Sequence, residues 1–308
     1  MLLEVLLPVA LVAAVGWGLR RRMVLDQATL NRVVIYGMSP ALIFTALVRA
    51  DLTGSGALAM IALSVGLVLV LGVITVAIAL PFGLRGRTLS ALLLVVLFMN
   101  SGNYGLPAAR FAFGEQGFTQ ALFYFIAQSI LAQTMGVAVA AAGAASAGPG
   151  LLREVSGRVL RMPQIYATVA ALAVRATGFD PVTADGLAGG IFRGLSLLSE
   201  ATLPLMLIVL GTQLATGVTL DESPGLIALG SMLRLIVSPL VAWGLALMLG
   251  LDQLGMAVAV MLAGMPTAVN TTIVALEFDS RPRLVIGTVV VTSLLSLVTL
   301  SVLLAFLR

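Results

Sequence analysis

Two short stretches carry most of the polar chemistry in this chain. One is Asn100-Ser101-Gly102-Asn103-Tyr104-Gly105-Leu106-Pro107; the other is Gly264-Met265-Pro266-Thr267-Ala268-Val269-Asn270-Thr271. Their polar side chains are amides, hydroxyls and one phenol. These are hydrogen-bonding groups, not acids or bases that work near neutral pH. Each stretch also breaks a helix. Proline removes a backbone hydrogen bond and clashes with the preceding turn, and glycine loosens the same region. A broken helix offers free N–H groups at its new N-terminus, where an anion is stabilised. The chemistry predicted is reversible binding of a small anion. The candidate substrate contacts are Asn100, Ser101, Asn103, Tyr104, Thr267, Asn270 and Thr271. Gly102, Gly105, Pro107, Gly264 and Pro266 are expected to shape the breaks.

Composition narrows the alternatives. The chain has 308 residues, 60% hydrophobic and 10% charged, with a mean hydropathy of +1.13. A soluble domain carries about 25% charge, so an integral membrane protein is expected. Cys, His and Lys are absent, and all 17 basic residues are arginine. Thiolate chemistry, a lysine Schiff base, a histidine base and Cys or His metal sites are therefore excluded. No nucleotide-binding loop is present, so direct use of ATP is not expected. No cofactor or metal is expected, and the chain does not read as an enzyme. The net charge of +4 does not signal nucleic acid, because the arginines fall mainly at the ends of apolar segments.

Both polar stretches lie inside apolar segments long enough to cross a bilayer, which takes about 20 residues. Ten such segments are expected, near 2–19, 31–48, 55–80, 89–112, 119–141, 162–179, 187–215, 225–249, 254–278 and 284–307. The first is bounded by Glu4 and by Arg20-Arg21-Arg22, the reverse of the charge order in a signal peptide, and so reads as a retained helix. Arginines near the loops after odd-numbered segments number eleven, against five on the other side. The positive-inside rule then places both termini outside, in a bacterial inner membrane. One loop dissents: Asp221-Glu222 carries no arginine.

The one long connection, 142–161, reads as a cytoplasmic linker, with Gly143 to Gly150 as its flexible part. It divides the chain into 1–141 and 162–308, five segments each. An odd number reverses the orientation of the second half, so an internal repeat would be inverted. An offset of 164 residues carries Pro40 to Pro204, and also carries Gly102 to Pro266 and Asn103 to Thr267. The fold class expected is all-α: two inverted five-helix repeats with broken, crossing helices 4 and 9. Paired broken helices of this kind mark the binding sites of secondary transporters.

Two charged residues fall inside expected spans. Glu200, in the seventh, is a candidate for carrying a coupling proton. Arg234, in the eighth, is a candidate either for holding a substrate carboxylate or for balancing Glu200. Gly186, Gly190 and Gly194, four residues apart, predict a close helix-packing face.

The stretch from Asn100 to Pro107 resembles the Gly-Asn-x-Gly-Asn-x-Gly-Leu-Pro motif of the auxin efflux carrier family. That family includes plant auxin exporters and bacterial carriers of malonate and other organic acids. Met265-Pro266-Thr267-Ala268-Val269-Asn270 with Glu277 is a second match. Leu19-Arg20-Arg21-Arg22, Leu25-Asp26 and Leu30-Asn31-Arg32, ahead of Ser39-Pro40-Ala41-Leu42, are a third. The sequence departs by having Met99 where glycine is common, and it lacks the long cytoplasmic loop of plant members.

The resemblance implies a scaffold of helices 1, 2, 6 and 7. It implies a transport domain of helices 3–5 and 8–10, elevator-like motion and a homodimer. Asn103 would match the family's substrate-contacting asparagine. The function expected is secondary transport of a small mono- or dicarboxylate, with proton or sodium coupling. Alternatives are a sodium-coupled bile-acid-type symporter, which would need cation ligands beyond the Asn, Ser and Thr of the breaks, and a channel.

Overall fold

The computed structural model describes residues 2–50, 56–144, 150–215 and 223–307. Asp221-Glu222, Arg308 and residues 145–149 of the expected linker lie outside them. Among the described residues the regular structure is helical, apart from one isolated β-bridge. In chain order the helices are α1 (Leu2–Arg22), α2 (Gln27–Val33), α3 (Ser39–Arg49), α4 (Ala57–Ala79), α5 (Gly86–Leu97), α6 (Leu106–Leu131), α7 (Val137–Gly143) and α8 (Leu151–Leu160). Then follow α9 (Pro163–Ala176), α10 (Gly186–Leu214), α11 (Pro224–Met232), α12 (Ser238–Met248), α13 (Gln253–Ala263), α14 (Asn270–Glu277) and α15 (Pro282–Leu307).

Six helical stretches are long and apolar enough to cross a membrane by length and composition. Five of them, Gln27–Arg49, Ala57–Phe82, Gly186–Leu214, Pro224–Met248 and Pro282–Leu307, fall on expected spans. The sixth, Ser101–Gly143, joins the second half of the expected fourth span to the fifth. It is interrupted at Gly114, whose φ of 65° and ψ of −160° are not helical. Gly86–Leu97 and Gln253–Ala263 are shorter apolar helices, each ending at one of the two polar breaks.

Proline controls the local geometry of the long helices. Pro40, Pro107 and Pro239 each follow a π-turn, at Val34–Met38, Ser101–Gly105 and Leu233–Val237. Ser39 donates its N–H to the Val34 carbonyl, Leu106 to Ser101 and Ser238 to Leu233, five residues back instead of four. A proline ring collides with the carbonyl four residues before it. Widening the preceding turn by one residue relieves that collision and lets the helix continue.

The helices pack in two sets. In one, α1 lies along α10, and α3 lies against α9 and α10. The Thr45 hydroxyl donates to Ser199 Oγ at 2.8 Å, and Thr202 donates to the Met38 carbonyl at 3.2 Å. Arg175 caps the C-terminal end of α3, donating to the carbonyls of Leu47, Val48 and Ala50 at 3.2, 2.9 and 2.7 Å. In the other set, α4 packs on α5, α6 and α12, α13 on α6 and α12, and α15 on α5 and α11.

The expected glycine face on α10 is not the close contact. A Cβ on Gly190 or Gly194 would meet nothing within 4 Å. The backbones touch at Gly16 and Gly211 instead, where an added Cβ would lie 2.0 Å from the Ile208 carbonyl oxygen and 1.8 Å from that of Ala13. Those oxygens belong to backbone and cannot swing aside. Gly211→Ala is therefore expected to force α1 and α10 apart and to cost about 1–3 kcal/mol. Thermal unfolding in detergent checks this; an unchanged melting temperature would contradict the packing.

Candidate functional site

The two breaks cross. Between α5 and the Ser101–Gly105 turn the chain leaves the helix at Phe98, which is extended, and turns at Asn100, and between α13 and α14 it runs through Pro266, Thr267 and Ala268. Asn100 donates its N–H to the Pro266 carbonyl at 2.7 Å, and Ala268 donates to the Phe98 carbonyl at 2.9 Å. These bonds close an antiparallel bridge between Met99 and Thr267. Each break thus meets backbone hydrogen-bonding needs of the other, which an apolar interior otherwise leaves costly. Glycine allows the approach: a Cβ on Gly105 would stand 2.8 Å from Leu262 Cδ2.

Four helix ends meet at this crossing. The C-terminal ends of α5 and α13 present carbonyls without helical partners. Thr267 Oγ1 donates to Val95 O at 2.8 Å, and Gln128 Nε2 to Leu97 O at 2.8 Å. Ser64 in turn donates to Gln128 Oε1 at 3.1 Å, which fixes that amide. Arg234 is fully buried and spans both helix ends. It donates to Val96 O at 2.6 Å and also to Ala263 O and Ser238 Oγ. Ser238 donates to Ala263 O at 2.9 Å.

The sequence offered two roles for Arg234, and the geometry supports neither. It does not line the cavity at the crossing. It does not balance Glu200, which is exposed on α10, and among the described residues neither is in an ion pair. Glu200 does not line the cavity either. Sequence reasoning missed the capping role because nothing local to Arg234 points to carbonyls of α5 and α13, 138 and 29 positions away.

The other two ends are N-termini, at Ser101 and at Asn270. They border a cavity of about 820 Å³. Of the seven predicted contact residues, five line it: Asn100, Ser101, Asn103, Asn270 and Thr271, together with Gly102. Asn100 borders the cavity, and its amide nitrogen is buried without a hydrogen-bond partner. Tyr104 and Thr267 do not line it. Tyr104 is buried among apolar side chains, and Thr267 is turned toward the α5 carbonyl that it caps. Gly105, Pro107, Gly264 and Pro266 lie in the buried crossing. Gln128, Ser129, Gln133 and Gln164 add polar groups that the motifs did not reveal.

A further wall comes from α8. The expected connection at 142–161 contains this ten-residue helix, and Arg153, Glu154, Arg158 and Arg161 line the cavity. Arg158 pairs with Glu154 at 2.8 Å and with Glu277 of α14. No group of three or more His, Cys, Asp or Glu that could hold a metal occurs among the described residues.

An apolar helical chain whose interrupted helices cross beside a polar cavity belongs to the class of membrane transporters. The comparisons agree. A family model described as membrane transport protein matches residues 1–147 and 150–304. The chain belongs to that family, the auxin efflux carriers that its motifs resemble. It is similar to an uncharacterized transporter of Methanothermobacter thermautotrophicus, 32% identical over 96% of this chain and 95% of the relative. It is also similar to a Rhizobium meliloti protein named "Putative malonate transporter", 27% identical over 91% of this chain and 86% of the relative.

Replacing Arg234 sets two effects against each other. Removing a buried charge relieves desolvation, whereas Val96 O loses its charged donor at a cost of about 1–3 kcal/mol. Because Ser238 still serves Ala263, the loss concentrates on Val96. Net destabilisation of about 1–3 kcal/mol is expected for Arg234→Met. Arg234→Lys is expected to fall between, since a point donor cannot span both carbonyls. Melting curves of the three proteins test this, and a methionine variant as stable as the parent would remove Arg234 from the crossing's support.

Proposed function

We propose that this transporter is a secondary carrier of small organic anions, mono- or dicarboxylates of malonate size, bound where the two broken helices cross. The observation that carries the reading is the division of the four helix ends. The two negative ends are covered by Arg234, Thr267 and Gln128. The two positive ends border the cavity with Asn100, Ser101, Asn103, Asn270 and Thr271. Two helix N-termini and nearby asparagine amides suit a carboxylate. The Rhizobium relative's name points to the same substrate class.

In this reading the ten expected segments form two inverted repeats. The set α1–α3, α9 and α10 serves as the scaffold. The set α4–α7 and α11–α15 carries the crossing across the membrane in elevator fashion, within a homodimer in the cell membrane. The lining supports this assignment, because the cavity lies between the sets: Tyr36, Met162 and Met206 face the crossing residues. A sodium ion at the α5 and α13 carbonyls is disfavoured, since a guanidinium already occupies Val96 O and Ala263 O. Glu200 has no part in the binding step, because it is exposed and away from the cavity.

Uptake into liposomes tests the reading. Purified protein is expected to accumulate labelled malonate, succinate or lactate with saturable kinetics, and Asn100→Ala or Asn103→Ala to lose about tenfold or more in kcat/KM, near the value of one or two charge-assisted hydrogen bonds. Saturable uptake that is unchanged in both variants would move the substrate away from the crossing. Flux that never saturates would favour a channel.

A further inference from the structure

Helix α8 is amphipathic in a direction that solvent exposure does not explain. Its cavity-facing positions are Gly150, Arg153, Glu154, Gly157, Arg158 and Arg161. They recur at steps of three and four, one face of an α-helix. The charged face of this connecting helix is therefore turned into the cavity. Gly150 and Gly157 leave room there: a Cβ on either would meet nothing within 4 Å.

The three arginines on this face are not equivalent. Arg158 is committed to Glu154 and Glu277, and its guanidinium lies 6.0 Å from the Phe278 ring centroid. These contacts pin α8 to α14, the half-helix that begins at Asn270. The C-terminal end of α8 is fixed again by the Tyr166 hydroxyl, which donates to Leu160 O at 2.6 Å. Arg153 and Arg161 are exposed to the cavity space, and their guanidinium groups have no ion-pair or hydrogen-bond partner among the described residues. Among the described residues Glu154 is the only acid in the cavity lining, and Arg158 already holds it. Formal positive charge is thus concentrated at one wall, while the crossing wall carries only dipoles and amides.

From this arrangement, and on the reading of the crossing as a carboxylate site, we infer that Arg153 and Arg161 form an anion-capture station at the cavity mouth. A carboxylate reaching this side is held first by the field of two free guanidinium groups and then passes to the neutral donors at the crossing. A cleft lined by one sign of charge raises local substrate concentration and association rate. The station therefore acts on KM and leaves kcat alone. Its strength depends on ionic strength, because the groups are exposed and screened by salt.

Initial rates of labelled malonate uptake into liposomes, at low and high ionic strength, test this on the whole protein. For Arg153→Gln/Arg161→Gln the KM at low salt is expected to rise about tenfold, with kcat within about twofold of the parent. Raising salt from about 20 to about 300 mM is expected to raise the parent's KM severalfold and to leave the double variant's nearly unmoved. Lysine at both positions keeps the charge and is expected to restore the parental KM. Both side chains are exposed, so folding is expected to persist, and melting temperature verifies it. A double glutamine variant with the parental KM and salt dependence overturns the capture station while leaving the carrier reading intact, as does failure of lysine to restore KM. Folded parent protein that accumulates none of malonate, succinate and lactate overturns the carrier reading, and the capture station with it.

Discussion

A single guanidinium holds the crossing together. Breaking two helices in the middle of an apolar protein creates two C-terminal ends, each equivalent to roughly half a negative charge. Arg234 lies between them and donates to one carbonyl from each. Its unit charge is about what two such ends require. A buried arginine without a carboxylate is usually costly; here the compensation comes from backbone. Arg234, Ser238, Gln128 and Thr267 serve the carbonyls at this place, all from outside the helices they cap. The crossing is thus a property of four elements, α5, α6, α12 and α13, and none could form it alone.

This compensation also sets the sign of the cavity. Four unbalanced helix ends would nearly cancel. With the negative pair covered inside the protein, the positive pair at Ser101 and Asn270 faces open space alone. The lining then needs no formal charge at the crossing to favour an anion. On the proposed reading, a site built from dipoles and amides would hold a carboxylate without the deep well that a buried ion pair would produce. A carrier must release what it binds, so this moderation suits transport. Formal charge is kept at α8, where it can attract from a distance and where water limits its depth.

The architecture at the breaks was legible in the sequence because proline, glycine and asparagine inside long apolar runs have few other uses. The same signals identified five of the cavity-lining residues. Tyr104 and Thr267 do not line the cavity, because a broken helix has two sides, and spacing within an irregular segment does not say which side faces the open space. Arg234 stood out for its place inside an expected span, but its partners are tertiary. Even so, capping of broken helix ends is what a charge with no nearby acid could have suggested.

The connection at 142–161 holds a helix that the sequence reading did not separate from the coil before it. Its Gly, Ala and Ser content dominates 143–150 and suggests a coil, but Leu151, Val155 and Val159 alternate with Arg153, Glu154 and Arg158 at helical spacing. The pattern was present over only ten residues, beside a long low-complexity run that outweighed it. What the sequence could not show at all is that the polar side of this helix faces inward. An amphipathic helix on a soluble protein turns its charges to water. Here the neighbouring surface is itself a polar cavity, and Glu277 at the end of α14 anchors the helix across it. Polarity fixes which face of α8 avoids an apolar neighbour; only the tertiary structure decides that this face lines the cavity.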